Sequence, residues 1–192
     1  MPNERYRIRK SLNIEEGQIA IVYLGKIGGM YMDDEIFSFF RKCLNINFDK
    51  FSFLLLTNEP LEAIDIYLAK YSIPKEKILI KWLRGKEVPA YLSAADVGFC
   101  GIKPIASRRF SSPIKNGEYW ACGLPILIPK GISDDYIISE EEEIGFVFEE
   151  LEQIDIQVLE SLKALDRSII QEKGHFLRSL ERYKSQFQKI LC

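Results

Sequence analysis

Four basic side chains and no acidic one lie within residues 97–117, in a protein whose net charge is −2. They are Lys103, Arg108, Arg109 and Lys115. A basic segment between an apolar run and a helical pattern is typical of an anion site, because its positive potential attracts negative ligands. A solvated basic loop beside a capped helix fits the same residues equally well.

The helix that follows this segment is predicted to begin near Pro113 or Ile114. The unpaired N–H groups and the dipole at a helix N-terminus favour a bound phosphate. Ser111 or Ser112 could cap this helix, or bind the same anion through a hydroxyl. The segment therefore predicts a phosphate site, with Ser111 and Ser112 beside it.

Glu118 comes one turn into that helix. A carboxylate only accepts hydrogen bonds, so it can take both hydroxyls of a ribose. Taken alone, Glu118 is more simply an ordinary helical glutamate.

A glycine-rich turn, Leu24–Met30, follows the first apolar run. Gly25 and Gly28 allow close backbone approach to a ligand, and Lys26 is a candidate phosphate contact. The spacing is neither G-x-G-x-x-G nor a P-loop, which disfavours a nicotinamide enzyme or an ATPase.

Residues 82–86, which include Arg84, form another candidate segment because they follow the third apolar run. Backbone groups there could recognise a base in the same crevice. A polar turn explains this segment equally well.

These candidate segments lie within a regular alternation of apolar runs and amphipathic stretches. Runs of four to eight apolar residues predict strands that are covered on both faces. The predicted strands are Ile19–Leu24, Phe51–Thr57, Ile78–Trp82, Val97–Cys100, Pro125–Ile128 and Ile144–Phe148. Helices are predicted between them, among them Pro60–Lys70, Val88–Ala94 and Lys115–Cys122, the last stopped by Gly123.

The predicted fold is α/β, a Rossmann-like open parallel sheet of about six strands with helices on both faces and a C-terminal helical tail. Ligands of such sheets bind beyond the carboxyl ends of the strands. In the tail, an apolar stripe over about 16 residues contains Phe176, Leu177, Leu180, Tyr183, Phe187, Ile190 and Leu191. We expect this stripe to pack on the domain or to cover another one.

Composition excludes several function classes. The chain has 192 residues, 47% hydrophobic and 28% charged, which fits an ordinary globular protein. The net charge of −2 disfavours a globally basic nucleic-acid binder. A single histidine, His175, and four scattered cysteines disfavour a zinc site and triad catalysis. No apolar run reaches membrane-span length and no secretory leader is visible, so we expect a soluble cytoplasmic protein.

One stretch carries a resemblance to a known family. Residues 112–128, SPIKNGEYWACGLPILI, resemble the donor-site signature of GT-B glycosyltransferases, close to glycosyltransferase family 4. The family pattern is roughly S-x-P-x-K followed by E-Y-x-A-x-G-x-P and aliphatic residues. Residues 88–96, which end in Ala-Asp, are similar to the short family helix before a strand, and residues 7–14 resemble the family's interdomain linker.

The resemblance covers about residues 19–148 and implies one half of a two-domain enzyme. Accordingly, residues 1–18 are expected to be a linker or N-terminal extension, 19–150 the donor-binding domain and 151–192 C-terminal helices. The implied activity moves a sugar from a nucleoside-diphosphate sugar to a saccharide or lipid-linked acceptor, with retention of configuration and without a metal or cofactor.

The implied partners are the nucleotide sugar and an acceptor-binding N-terminal domain, in cis or as a separate subunit. No nucleic-acid partner is expected. Peripheral association of the full protein with the cytoplasmic membrane face is compatible with this activity.

The resemblance also assigns roles to residues. Glu118 corresponds to the glutamate that contacts the donor ribose, and Lys26 loosely to a phosphate contact. The diphosphate loop corresponds to Ser112, Pro113, Ile114 and Lys115. Lys115, Arg108 and Arg109 are candidate stabilisers of the leaving diphosphate. Phe110 replaces a second family glutamate that faces the donor sugar.

Three alternatives stay open at this level. A response-regulator receiver requires acidic residues at the end of the first strand, where this chain has Leu24-Gly25-Lys26. A non-catalytic GT-B-like subunit or regulatory nucleotide-binding module is compatible with Phe110. A nucleotide-sugar 2-epimerase shares the two-domain build and differs in its product.

Overall fold

A computed structural model describes residues 2–177. Its centre is one six-stranded sheet in the order β3-β2-β1-β4-β5-β6, with every neighbouring pair parallel. The strands are β1 Ile19–Leu24, β2 Phe51–Leu56, β3 Ile78–Lys81, β4 Val97–Phe99, β5 Ile126–Pro129 and β6 Gly145–Phe148. The predicted fold class is confirmed.

Eight helices surround this sheet within the described residues. They are α1 Pro2–Ser11, α2 Asp34–Ile46, α3 Leu61–Lys70, α4 Val88–Ala94, α5 Ile114–Ala121, α6 Asp135–Glu141, α7 Ile156–Ala164 and α8 Arg167–Leu177. A 3-10 helix, Ala106–Phe110, lies in the loop between β4 and α5. None of the described helices is long and apolar enough to span a bilayer.

The apolar runs became strands because both faces of the sheet are buried. Alternate residues of β1 enter opposite cores, Ile21 on one face and Val22 on the other. One core contains side chains from α2, α3 and α7, and the other contains side chains from α4, α5 and α8. Phe40 of α2 stacks on Phe53 of β2 with 4.2 Å between ring centroids. Burial on both sides makes this sheet a rigid base for the loops at its ends.

The strand order reverses at β1, since β2 and β4 flank it while β3 lies beyond β2. The register aligns Leu24, the last residue of β1, with Leu56, the last residue of β2. Loops that diverge from such a point leave a crevice beyond the carboxyl ends of the strands.

At the opposite end of the strands, ion pairs and hydrogen bonds around Asp96 hold the helices to the sheet. Asp96 is buried, and its Oδ2 accepts hydrogen bonds from Ala20 N at 2.8 Å and Arg9 Nη1 at 3.0 Å. Arg5 pairs with the other oxygen of Asp96. Arg167 of α8 donates to Ala95 O at 2.7 Å. Asp96 therefore ties α1 to the start of β1.

Residues 1–18, expected to be a linker or N-terminal extension, contain helix α1 over Pro2–Ser11. Few apolar residues mark this helix, because it docks through Arg5 and Arg9 rather than through an apolar stripe. Ionic docking depends on where Asp96 lies in space, so the local pattern did not reveal it.

The described part of the C-terminal tail packs on the same domain. Gly174 of α8 lies against Trp120 of α5, where a Cβ would come within 2.5 Å of the Trp120 Cβ. Within the predicted apolar stripe, Leu177 is buried and Phe176 is exposed. The other members of that stripe lie outside the described residues.

Candidate nucleotide site

A cavity of about 230 Å³ opens beyond the carboxyl ends of three adjacent strands. The segments that follow β1, β2 and β3 form its walls, and α5 adds one lysine. The lining residues are Leu24, Gly25, Lys26, Leu56, Thr57, Asn58, Trp82, Leu83 and Lys115. This is the crevice at the reversal of strand order, where open parallel sheets bind ligands.

Lys115 is the half-buried cation of this cavity. Its Nζ lies over the backbone of Gly25, where a Cβ would collide with it. Within residues 2–177 this ammonium makes no hydrogen bond or ion pair. Burial lowers the pKa of Lys115 and nearby Lys26 adds to the lowering, while Cys100 and Glu118 oppose it. A cation in a cavity with no ion pair is a ready partner for an anion.

The loop that carries Lys26 is held by two buried tyrosines. The Tyr23 hydroxyl donates to Lys26 O, and the Tyr119 hydroxyl of α5 accepts from Leu24 N at 2.8 Å. Burial raises the pKa of both hydroxyls, which keeps them protonated at neutral pH. The Lys26 side chain itself is exposed. These bonds join the glycine-rich turn to α5. The backbone that carries Lys26 is therefore fixed relative to the helix that carries Lys115.

Helix α5 begins at Ile114, as predicted, and lacks a side-chain cap. Its first amide groups have no preceding helical turn to bond, which leaves donors at the same end as Lys115. The predicted cap at Ser111 is wrong, because Ser111 Oγ donates to Arg108 O at 2.7 Å and so completes the preceding 3-10 helix. Ser112 lies between that helix and Pro113, which is buried.

Glu118 lies on α5 one turn after Lys115 and is largely exposed. Partial desolvation raises the pKa of its carboxyl, and Lys115 opposes that shift. Its side chain accepts no hydrogen bond from the described residues and does not form part of the cavity wall. The carboxylate is thus close enough to interact electrostatically with Lys115 and free to accept hydroxyl groups.

The structure does not bring every predicted residue to the cavity. Arg84 follows the cavity residue Leu83 but is exposed outside the wall. Arg108 and Arg109 lie on the 3-10 helix, away from the lining. Gly28, at φ +80°, shapes the glycine-rich loop without lining the cavity.

Arg108 has a buried Nε with no hydrogen-bond partner in the described chain. The backbone of Arg108 is bonded to the β5–α6 loop, since Ser133 N donates to Arg108 O at 3.0 Å. The basic segment is therefore split, because Lys115 lines the cavity and the two arginines do not.

The predicted segment 82–86 contributes Trp82 and Leu83 to the cavity, and Trp82, which is 64% exposed, forms an aromatic wall. Thr57 and Asn58, which follow β2, were not predicted. Their only sequence signal is their place at a strand end, because a Thr-Asn pair is not a motif. No group of acidic, histidine or cysteine side chains in the described residues is arranged to hold a metal.

Comparisons with known proteins find a related family and related folds. Residues 98–180 match the family model for the C-terminal domain of glucosyltransferase 3-like proteins. No curated protein sequence matches the chain significantly.

Solved structures resemble the chain at low sequence identity. Anabaena HepE in complex with UDP has a TM-score of 0.76 at 12% identity, over 100% of this chain and 53% of that one. WaaG, a glycosyltransferase involved in lipopolysaccharide biosynthesis, has a TM-score of 0.68 at 17% identity, over 91% of this chain and 45% of WaaG. The C-terminal domain of LpcC from Francisella tularensis has a TM-score of 0.59 at 15% identity, over 89% of this chain and 86% of that domain.

The chain spans about half the length of WaaG and HepE, and most of the isolated LpcC domain. The resemblance to the C-terminal domain of GT-B glycosyltransferases, predicted from residues 112–128, is confirmed. At these identities the solved structures establish the fold.

Proposed function

We propose that this chain binds a nucleoside-diphosphate sugar and forms the donor half of a glycosyltransferase. The observation that carries the proposal is one cavity with lysines at one end and an aromatic wall at the other, at the reversal of strand order. A nucleoside diphosphate has the complementary parts, a doubly charged phosphate group and a flat base.

The phosphate end consists of Lys115, Lys26 and the start of α5. In the proposed reaction the diphosphate leaves the anomeric carbon and gains negative charge. Fixed ammonium and amide donors stabilise that charge in the transition state without having to reorganise. We propose that these donors act in place of a metal ion.

The base end consists of Trp82 and the segment Thr57–Asn58. An exposed indole offers a face on which a base can stack, a contact worth about 1–3 kcal/mol in nucleic-acid complexes. The backbone groups of the two segments are available to the edge of the base. Glu118 is proposed to accept the ribose hydroxyls, from its place one turn beyond Lys115.

The donor sugar would extend from the diphosphate toward the acceptor. Phe110, which stands where the family resemblance places a second glutamate, is 87% exposed. We propose that the sugar, a hexose, is held without a carboxylate at this position. The acceptor, a saccharide or lipid-linked glycan, would bind an N-terminal domain in cis or a partner subunit, and the transfer would retain configuration.

The test is a panel of UDP, GDP, CDP and ADP in thermal unfolding, with UDP first because HepE was solved with it. A ligand at 100 times its dissociation constant adds about 2.7 kcal/mol, which raises the midpoint by several degrees. We expect one base to be preferred and Glu118→Ala to weaken its binding strongly in a folded protein. Wild-type affinity in folded Glu118→Ala would contradict the ribose assignment.

Catalysis is tested by product analysis with the nucleotide sugar of the preferred base. Transferred sugar supports a transferase and epimerised sugar a 2-epimerase. Binding without turnover in the reconstituted two-domain enzyme would support the non-catalytic module, which no feature of the described residues favours.

A further inference from the structure

The position of the Lys115 ammonium needs a physical explanation. A half-buried lysine is usually held by a carboxylate, yet Lys115 forms no ion pair within the described ranges. The ammonium instead lies over an aromatic ring, with Nζ 4.5 Å from the centroid of the Tyr31 ring. This distance is within the range of a cation–π interaction.

Tyr31 is itself fixed by the backbone around it. The segment on either side of Tyr31 is clamped to the chain after β4, with Met32 N donating to Gly101 O at 2.8 Å and Lys103 N donating to Met30 O at 3.1 Å. Tyr31 and Ile102 form an isolated antiparallel bridge between these two segments. The ring therefore belongs to a firmly held segment directly after the glycine-rich turn.

An aromatic ring and a carboxylate hold an ammonium with different consequences. A carboxylate neutralises the charge and occupies N–H donors, and an incoming phosphate must displace it. A ring attracts the ammonium through its quadrupole and leaves the formal charge and the N–H donors for another ligand. It also restricts a side chain that otherwise loses substantial rotamer entropy when it is immobilised.

We propose that Tyr31 is a positioning residue that holds the Lys115 ammonium over Gly25 without neutralising it, so that a diphosphate meets a preoriented cation. The proposal rests on the function proposed above, because it assigns the diphosphate to Lys115. It adds a contact that acts on the ligand only through Lys115.

The experiment compares Tyr31→Leu, which removes the π face, with Tyr31→Phe, which keeps it. Calorimetry on the whole chain gives dissociation constants for UDP and for inorganic pyrophosphate, a probe that does not depend on the base. We expect Tyr31→Leu to weaken both about 3- to 30-fold, from the range for exposed to desolvated cation–π pairs. Tyr31→Phe is expected to bind within about twofold of wild type.

A double-mutant cycle with Lys115→Met separates positioning from a general structural effect. If Tyr31 acts through Lys115, adding Tyr31→Leu to Lys115→Met produces little further loss. An equal loss in both backgrounds overturns the inference, and so does equal weakening by Tyr31→Phe and Tyr31→Leu. Wild-type binding in Tyr31→Leu also overturns it. If Lys115→Met itself binds both probes like wild type, the proposed site fails instead.

A measurement on the wild-type protein covers the case in which Tyr31→Leu does not fold. The ring current of Tyr31 should move the NMR signals of the Lys115 ε-methylene upfield, with Lys115→Met providing their assignment. The expected result is an upfield shift relative to the other lysines that persists in Tyr31→Phe. Unshifted signals of the Lys115 ε-methylene would overturn the proposed contact between Lys115 and the Tyr31 ring.

Discussion

Replacing Lys115 by methionine should change binding and stability in opposite directions. Methionine keeps the unbranched chain as far as the ε position and lacks the charged ammonium. In the folded protein the Lys115 ammonium is half buried without an ion pair, and burial lowers its pKa below the ordinary value of 10.5. The charged form therefore costs folding free energy, and the substitution removes that cost.

The sign of the pH dependence follows from the lowered pKa. Between the folded pKa of Lys115 and its unfolded value of 10.5, the folded state binds fewer protons, so this group makes stability rise with pH in that interval. Below the interval the full penalty is present. At neutral pH we therefore expect Lys115→Met without ligand to unfold at the wild-type temperature or above it.

The loss in binding can be estimated from the proposed contact. A hydrogen bond to a charged group contributes about 1.5–3 kcal/mol, which corresponds to a dissociation constant about 10- to 150-fold larger. With nucleotide at 100 times the wild-type constant, binding raises the wild-type midpoint by about 5–10 °C. A variant that binds about 30-fold more weakly retains about 0.9 kcal/mol at that concentration, or about 2–4 °C.

The assay is thermal unfolding with and without nucleotide, followed by calorimetry. Lys130→Met is the matched control, because Lys130 lies at the same sheet edge but outside the cavity and pairs with Glu149 at 2.6 Å on the surface. We expect the control to keep the full ligand shift. An unchanged ligand shift in Lys115→Met, or a large loss of its stability without ligand, would refute the argument that an unpaired cation is held there for an anion.

Three further substitutions test other parts of the structure. Gly25→Ala should displace the Lys115 ammonium and weaken nucleotide binding about tenfold or more with unchanged circular dichroism; calorimetry at wild-type affinity would exclude the close approach. Trp82→Ala should weaken binding of the nucleotide by about 1–3 kcal/mol while leaving pyrophosphate binding and stability unchanged, because the indole is 64% exposed; equal loss for both probes would contradict a base platform. Asp96→Asn should lower the free energy of unfolding, measured in urea, by about 3–5 kcal/mol, since it leaves buried arginine charge unpaired. The control Asp65→Asn, at an exposed ion pair, should lower it by less than about 1 kcal/mol. Similar losses in the two variants would argue against a buried network.

Much of the fold could be read from local patterns. Each apolar run became a strand because two buried faces demand continuous apolar residues, as in Ile19–Leu24. Helix α5 begins at Ile114 and stops before Gly123, which adopts φ +69°, and both limits follow from residue types. Helix α1 escaped prediction because its partner Asp96 is distant in sequence.

The candidate site, like the fold, could be predicted from the sequence only in part. Sequence alone determined the residue types that suit an anion, the order of strands and helices, and the placing of Gly25, Lys26 and Lys115 at strand or helix ends. It could not rank Lys115 above Arg108, because both lie in the same basic segment. Only the tertiary structure decided that, since side-chain direction and neighbours depend on how separate loops meet.

The tertiary structure also supplied the partners that no motif announces. Tyr31 lies against Lys115, and Trp82 shares a cavity with it, although neither is near Lys115 in sequence. Parallel strands end at one edge of the sheet and so gather residues from distant segments. The sequence by itself thus determined the chemistry available to this protein, and the packing of the sheet decided which residues share one cavity.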